Sequence, residues 1–195
     1  MQITPVDQLK EALSRITEIS TDEFQYFSTN LETKSFKKGD FFCREGQVEQ
    51  YVYFLLTGAT RNYFLRDGKE FTVGFHFENE FITAYYSFLT REPSPVSIEL
   101  IADASAFLIP RKFLYDFYDK FKTGEKIGRL IAEAQYLKRL QREMELLSLT
   151  AEERYAKLME RNPTLIQGIS IKHLSSYLGI QPESLSRIRK QFARN

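Results

Sequence analysis

The sequence contains few of the residues that build metal and redox centres. Its 195 residues include one cysteine, Cys43, two histidines, His76 and His173, and no tryptophan. One cysteine cannot form an internal disulfide, an all-cysteine zinc site or a cysteine-ligated iron–sulfur cluster. His76 stands between two phenylalanines in a strand-like segment, and we interpret it as a packing or surface residue rather than a haem ligand. We therefore predict neither a metal site nor a resident cofactor.

Long apolar runs and enzyme motifs are also missing. No run approaches the roughly 18 apolar residues that a membrane span needs, and Met1–Lys10 lacks the basic segment and apolar core of a signal peptide. The sequence has no Gly-rich phosphate loop of the Walker type, no His-Glu-x-x-His and no serine elbow. We expect a cytoplasmic protein with no membrane association, no enzymatic activity and no catalytic residues.

Neither sign of charge is in excess over the whole chain. Lys and Arg number 27 and Asp and Glu number 26, so the formal net charge is +1, which by itself argues against a nucleic-acid binder. The distribution changes that interpretation, because residues 150–195 contain eight basic and four acidic side chains, whereas the rest contains 19 and 22. The C-terminal segment therefore has the charge balance expected of a DNA-binding part.

Short aromatic and β-branched runs, separated by turn signals, fill residues 31–110. They include Tyr51–Leu56, Thr60–Leu65 and Glu70–Phe77. Between the last two runs, Asp67-Gly68 favours a two-residue hairpin turn, because glycine adopts positive φ without steric cost. At least seven such strands predict an antiparallel barrel or sandwich in an α+β protein.

A long helix is predicted at residues 124–149, because apolar residues recur there at spacings of three and four. The spacing gives a heptad seam with one polar member, which we interpret as the interface between two copies of the helix. The alternative is an ordinary amphipathic helix lying on the barrel. The predicted dimer interface consists of Ile127, Leu130, Ala134, Leu137, Gln141 and Met144.

The segment from Ile171 to Lys190 has the pattern of a helix-turn-helix. A short helix ends at Gly179, where a left-handed turn is available, and Pro182 takes the first position of the second helix, where its missing N–H costs nothing. In that second helix Leu185 faces inward with the apolar positions that follow it. Such a layout brings the outer face of the second helix into the DNA major groove.

The predicted DNA-binding residues lie on this outer face and at the end of the first helix. Arg187 can donate a bidentate fork to guanine, and Glu183 can accept from cytosine N4. Arg189, Lys190 and two serine hydroxyls of the first helix suit phosphates, which orient the protein rather than specify the sequence. The full set is Ser175, Ser176, Gln181, Glu183, Ser184, Arg187, Arg189 and Lys190.

A β-roll, a long helix and a helix-turn-helix in this order resemble the Crp-Fnr family of bacterial transcription regulators. Residues 36–40, 44–46, 51–58 and 67–70 look like the signature of the family's cyclic-nucleotide-binding β-roll. The segment Gln181–Lys190 resembles its recognition helix, and the C-terminal motif as a whole looks closest to the short regulators of the family found in Bacteroidetes.

The resemblance implies a three-part organisation. We expect an N-terminal antiparallel β-roll sensor domain with flanking helices at 1–123, a dimerisation helix at 124–149 and a C-terminal helix-turn-helix DNA-binding domain at 150–195. It also implies a homodimer whose partners are double-stranded DNA and RNA polymerase.

The sequence departs from the family pattern in the phosphate-binding cassette. The family holds the ribose with a Gly-Glu pair and the cyclic phosphate with an Arg-Ser pair, but Thr83-Ala84 and Pro95-Val96 stand at these positions. A buried phosphate needs a cation or several donors, which the side chains of Pro95 and Val96 cannot supply. The sequence therefore argues against cyclic AMP binding.

Two interpretations of the pocket stay open. Either it takes another small effector, aromatic or apolar, or the barrel is filled by its own aromatic side chains. The candidate effector-pocket residues are Phe81, Thr83, Ala84, Tyr85, Tyr86, Ser94 and Ser97. The rival function to a DNA-binding regulator is an effector- or protein-binding β-roll whose C-terminal helices dock on another protein.

Overall fold

The polypeptide divides into two units in a computed structural model that describes residues 4–161 and 168–192. One unit comprises Met1–Asn62 and Phe75–Ala134, and the other comprises Tyr63–Gly74 and Gln135–Asn195. The second unit thus combines a segment from the middle of the chain with the C-terminal third. This division differs from the three consecutive parts that the sequence predicts. The boundary after Ala134 lies within the predicted dimer helix, so each unit contains part of that helix.

Helices and strands follow one another in the order that the sequence predicts. The helices within the described ranges are α1 (Pro5–Ser14), α2 (Thr21–Thr29), α3 (Tyr85–Thr90), α4 (Arg111–Lys120), α5 (Lys122–Ser148), α6 (Ala151–Arg161), α7 (Ile171–Leu178) and α8 (Pro182–Phe192). The strands are β1 (Glu32–Phe36), β2 (Phe41–Cys43), β3 (Tyr51–Thr57), β4 (Ala59–Arg66), β5 (Lys69–Phe77), β6 (Phe81–Ile82), β7 (Ser97–Leu100) and β8 (Ala104–Pro110). None of these helices is long and apolar enough to cross a bilayer.

The strands form two four-stranded sheets with orders β1-β8-β3-β6 and β2-β7-β4-β5. β3 pairs antiparallel with β8 and β6, which confirms the predicted antiparallel β-roll. The predicted hairpin is also confirmed, because Asp67 and Gly68 between β4 and β5 both have positive φ, at 52° and 71°. Two such residues in succession make the turn whose twist matches antiparallel strands.

The core of the first unit has two sides, separated by β3. Side chains alternate along a strand, so Tyr53 and Leu55 point into the roll while Phe54 and Leu56 point toward the helices. The roll interior consists of Phe36, Phe42, Cys43, Tyr53, Leu55, Ile82, Ala84, Ile98, Leu100, Ala104, Ala106 and Leu108. The helix-side core consists of Leu9, Ala12, Leu13, Phe24, Phe27, Phe54, Leu56, Phe107, Ile109, Phe117 and Ile127.

Candidate DNA interface and roll interior

The helix-turn-helix of the second unit is built around a small apolar core. Leu174 and Leu178 of α7 pack with Leu185 and Ile188 of α8, and all four are buried. Gly179 ends α7 in the left-handed conformation at φ 70°, as predicted from its position. The N–H of the next residue then donates to the carbonyl of Ser175 at 3.0 Å, which closes the helix end.

The predicted outer face of α8 is at the surface. Glu183, Arg187 and Lys190 are exposed, and their spacings of four and three put them on one side of the helix. Gln181 before the helix is exposed as well, whereas Ser184 is half-buried. A guanidinium, an ammonium and a carboxylate on one exposed face form an arrangement that can contact base edges and phosphates.

The serines of α7 do not share this exposure. Ser175 is 2% exposed, and its hydroxyl donates to the Lys172 carbonyl at 3.1 Å, so it is not available to a phosphate here. Ser176 lies against the tip of the β4–β5 hairpin. Its Oγ accepts from the Thr72 N–H at 2.9 Å and donates to the Glu70 carbonyl at 3.0 Å. Nothing in the local sequence around α7 indicates either set of partners.

Several basic side chains of the C-terminal segment interact within the second unit. Lys172 Nζ lies 3.4 Å from Glu70 Oε2, and Lys157 Nζ lies 3.8 Å from Glu145 Oε1. Arg154 donates to main-chain carbonyls rather than to solvent. Part of the positive charge counted for residues 150–195 is therefore not available to DNA. The basic groups that remain most accessible to DNA are the exposed ones of α8.

The predicted dimer seam is exposed over the second half of α5 only. Leu137 is 62% exposed and Met144 is 52% exposed, and Ala134 and Gln141 are also at the surface. Leu147 beyond them is 83% exposed. By contrast Ile127 belongs to the helix-side core of its own chain, and Leu130 is half-buried. The first part of the seam is thus used for intramolecular packing.

The structure does not bring the predicted effector-pocket residues together. Phe81 packs on the helix-side core at 4.9 Å from Phe54, outside the roll. Tyr85 and Tyr86 of α3 are 48% and 52% exposed, while Ala84 lies in the roll interior. The short helix α3 thus turns its tyrosines outward, which favours, of the two interpretations of the pocket, the barrel filled by its own side chains.

The polar members of the predicted pocket bond to the main chain. Thr83 donates to the Tyr51 carbonyl at 2.8 Å, and Ser94 donates to the Val96 carbonyl at 2.7 Å. Ser97 accepts from the Glu45 N–H at 3.0 Å. These hydroxyls stabilise loops of the roll and are not presented together to a ligand.

Aromatic side chains from the strands fill the roll instead. The rings of Phe42 and Tyr53 stack with centroids 4.0 Å apart and an interplanar angle of 1°, and Phe36 packs edge-on against Phe42 at 4.9 Å. The Tyr53 hydroxyl donates to the Phe42 carbonyl at 3.0 Å, so its polar group is satisfied internally. Buried Cys43 lies beside them, and its pKa is raised to about 11, chiefly by burial, which leaves an unreactive thiol.

A buried carboxylate, Glu49, lies beside the cassette. It is 2% exposed, and its Oε1 accepts from the N–H groups of Gln50 and Tyr51 at 2.9 and 3.0 Å. Its Oε2 accepts from the Ala84 N–H at 3.4 Å. Burial raises the pKa of Glu49, and the three N–H bonds oppose that rise only in part. Sequence reasoning missed this group, because glutamate is rarely buried and no local pattern marks it.

The substitution Glu49→Gln tests this electrostatic description. An acid whose pKa is raised by folding stabilises the fold least when it is ionised, so the contribution of Glu49 to the free energy of unfolding should fall as pH rises above its ordinary pKa of 4.5. The amide that replaces the carboxyl group does not titrate. The free energy of unfolding of the variant, relative to that of the wild type, should therefore increase as pH rises above 4.5. Urea denaturation at a series of pH values measures the difference.

The exposed Glu45→Gln variant is the matched control, because it removes a carboxylate from the same loop without relieving burial. Parallel pH profiles for Glu49→Gln and the wild type would contradict a raised pKa at Glu49.

Comparisons with known proteins agree with this architecture. Residues 33–121 match the family described as cyclic nucleotide-binding domain. The transcriptional activator protein Anr of Pseudomonas aeruginosa is 27% identical over 173 residues, which cover 82% of this chain and 69% of that protein.

Solved structures extend the similarity over most of the chain. FixK2 from Bradyrhizobium japonicum superposes with a TM-score of 0.72 at 23% identity, covering 84% of this chain and 85% of that one. A putative transcriptional regulator of the crp/fnr family from Eubacterium rectale gives a TM-score of 0.70 at 18% identity, with coverages of 90% and 84%. Anr is named as a transcriptional activator and the Eubacterium rectale protein as a putative transcriptional regulator, and the chain is similar to these proteins over most of its length.

Proposed function

We propose that the protein is a sequence-specific DNA-binding transcription regulator that acts in the cytoplasm as a homodimer. The observation that carries the proposal is the exposed face of α8, where Glu183, Arg187 and Lys190 project from a helix-turn-helix with a closed apolar core. In this motif the N-terminal residues of the second helix contact base edges in the major groove. Relatives named as transcriptional activators support the same role.

The homodimer is supported by the exposed part of the α5 seam. Leu137, Leu140, Met144 and Leu147 are large apolar side chains left at the surface of one helix. Monomeric proteins rarely expose a contiguous apolar patch of this kind, and a second copy of the helix would cover it. Two recognition helices related by a two-fold axis would then meet half-sites about 34–36 Å apart on one side of the DNA.

The β-roll is proposed to be a degenerate cyclic-nucleotide-type domain that binds an effector other than cyclic AMP or none. Its interior is occupied by stacked aromatic side chains, and the carboxylate of Glu49 lies beside the cassette. The guanidinium of Arg91 is also there, but it donates to the Glu49 carbonyl and to the side-chain oxygen of Gln50. A cyclic phosphate brought next to Glu49 would be repelled by the ionised carboxylate, and Arg91 could compensate the phosphate only by losing its present acceptors. The filled interior favours the interpretation without an effector.

Contact with RNA polymerase is part of the proposal, because similar proteins are named as activators of transcription. Such contact would occur when the regulator is bound to DNA beside a promoter. It would use a surface of the dimer that the DNA leaves uncovered.

Selection from a random pool of double-stranded oligonucleotides, followed by salt titration, tests the function. We expect a near-palindromic motif with half-sites one helical turn apart. Affinity for it should be on the order of 10⁻⁸ M or tighter at physiological salt and should fall linearly on a log–log plot as salt rises. Cyclic AMP should leave both affinity and slope unchanged.

A single-stranded pool is the control, since a helix-turn-helix requires the duplex groove. Absence of enrichment even at low salt would favour the rival function, in which the C-terminal helices dock on a protein. Tightened DNA binding with cyclic AMP would show that the description of the roll interior as closed to the nucleotide is wrong.

A further inference from the structure

Two arginines from different helices converge on the C-terminal end of α7. Arg142 of α5 donates from Nη2 to the Tyr177 carbonyl, and its guanidinium carbon lies 4.0 Å from the centroid of the Tyr177 ring. Arg154 of α6 donates from Nε and Nη2 to the Leu178 carbonyl at 3.2 and 2.9 Å. Its Nη1 donates to the carbonyl of Leu149, one residue beyond the end of α5.

The chemistry of helix ends explains why arginine suits this place. The last carbonyls of a helix have no partner within the helix and carry partial negative charge, so a cation there is favourable. A guanidinium presents several N–H donors in one plane. Arg154 uses this geometry to join two helix ends, at Leu149 and Leu178, which a single ammonium group cannot match.

Both guanidinium groups are enclosed rather than open to solvent. Arg142 and Arg154 are half-buried. Burial is the largest cause of a lowered pKa at Arg142, and the neighbouring Arg154 adds to it. Glu145, one turn along α5, is buried and opposes the shift. Charges taken out of water in this way require specific partners, and the helix-end carbonyls provide them.

Fixing the end of α7 also fixes the recognition helix. Leu178, which carries one of the accepting carbonyls, is completely buried, as is Leu185 of α8 in the same core. The turn between the helices begins at Gly179, directly after the two carbonyls. The position of Arg187 relative to α6 and the C-terminal half of α5 therefore depends on how firmly α7 is held.

We infer that Arg142 and Arg154 are positioning residues of the DNA-binding motif, which hold α7 on α5 and α6 by its terminal carbonyls and do not contact DNA. We call this pair of arginines the brace. The inference rests on the proposed DNA-binding function for its consequence but not for its structural part. The competing explanation is that the two arginines supply positive charge to phosphates, as the charge count of the C-terminal segment suggests.

Conservative variants distinguish a positioning role of the two arginines from a role of their positive charge in binding phosphates. Arg142→Lys and Arg154→Lys keep the charge but lose the planar set of donors. Arg139→Ala is the matched control, because it removes a charge from an exposed position on α5, one turn from Arg142. Hydrogen exchange of the α7 amides, measured without DNA, reports the brace directly, since it follows the local opening of the helix.

We expect Arg154→Lys to accelerate exchange of the α7 amides about tenfold, the equivalent of about 1.4 kcal/mol. Its affinity for the selected operator should fall by up to the same factor, depending on the fraction of α7 that is open, whereas its affinity for a scrambled duplex should stay within about twofold, because the phosphate contacts persist. Arg142→Lys should act in the same direction, and Arg139→Ala should change neither exchange nor the ratio of the two affinities.

Wild-type exchange in both lysine variants would overturn the inference. So would full operator affinity in the lysine variants together with a smaller salt slope in Arg142→Ala and Arg154→Ala, because that result marks a phosphate contact. A partly unfolded variant would lose both affinities equally and keep their ratio, which would also contradict a positioning role. Failure of the wild type to bind any duplex would remove the proposed function, but the exchange measurement would still decide whether the brace exists.

Discussion

Leu137→Glu is expected to convert the proposed dimer into a monomer. Leu137 is 62% exposed at the centre of the α5 seam and would be covered in the dimer. A fully buried leucine contributes about 1.5–3 kcal/mol, and the two-fold symmetry removes two of them and brings two carboxylates together. The combined loss, about 4 kcal/mol or more, corresponds to roughly a thousandfold weaker dimerisation. Sedimentation equilibrium measures it.

The same variant should lose most of its operator affinity. A dimer binds its second half-site intramolecularly, at a high effective concentration, and a monomer forfeits that advantage. Arg139→Glu is the control, because Arg139 lies opposite the seam on the same helix and is exposed. A Leu137→Glu protein that sediments as an unchanged dimer would show that this part of α5 is not in the interface. It would favour the alternative of an amphipathic helix that packs only within its own chain.

Arg187→Ala should abolish the preference for one base pair in each half-site of the operator. A bidentate contact to guanine is worth about 1–3 kcal/mol, and the proposed dimer would make it twice. The effect should be confined to that base pair. The variant should therefore bind operators that carry a different base pair at this position as tightly as it binds the original operator. Competition titrations with a set of single-pair operator variants measure this change.

Lys190→Ala provides the matched comparison on the same face of α8. If Lys190 binds phosphate as proposed, its removal should weaken binding to all duplexes by a similar factor and reduce the salt slope by about one for each phosphate no longer neutralised. Undiminished discrimination among operators in Arg187→Ala would assign base recognition to another residue, of which Glu183 is the nearest candidate on that face.

Local patterns in the sequence predicted the elements well. The two-residue turn at Asp67 and Gly68, the end of α7 at Gly179 and the start of α8 at Pro182 all depend on backbone preferences of single residues. The long helix, predicted at 124–149, is observed as Lys122–Ser148. Each of these features is decided by neighbours a few residues away, which is the information that a sequence displays directly.

The contacts around the candidate sites could not be predicted from the sequence in the same way. Arg154 contributes to the positive charge of the C-terminal segment, and only its distance to the Leu178 carbonyl reveals an internal role. The cassette tyrosines suggested a pocket lining, but the orientation of α3 is decided by packing that no periodicity reports. Glu49 is bound by N–H groups of Ala84 and Tyr51 that approach it only in the folded roll.

The two hydrogen bonds between Ser176 and the β4–β5 hairpin affect the order of folding during synthesis and the choice of recombinant fragments. Thr72 and Ser176 are 104 residues apart in sequence, so the hairpin leaves the ribosome long before the helix that it contacts. Completion of the second unit must therefore wait until Ser176 has been synthesised. A recombinant fragment beginning at residue 135 would contain the helix-turn-helix, but its Ser176 hydroxyl would lack both of its hairpin partners.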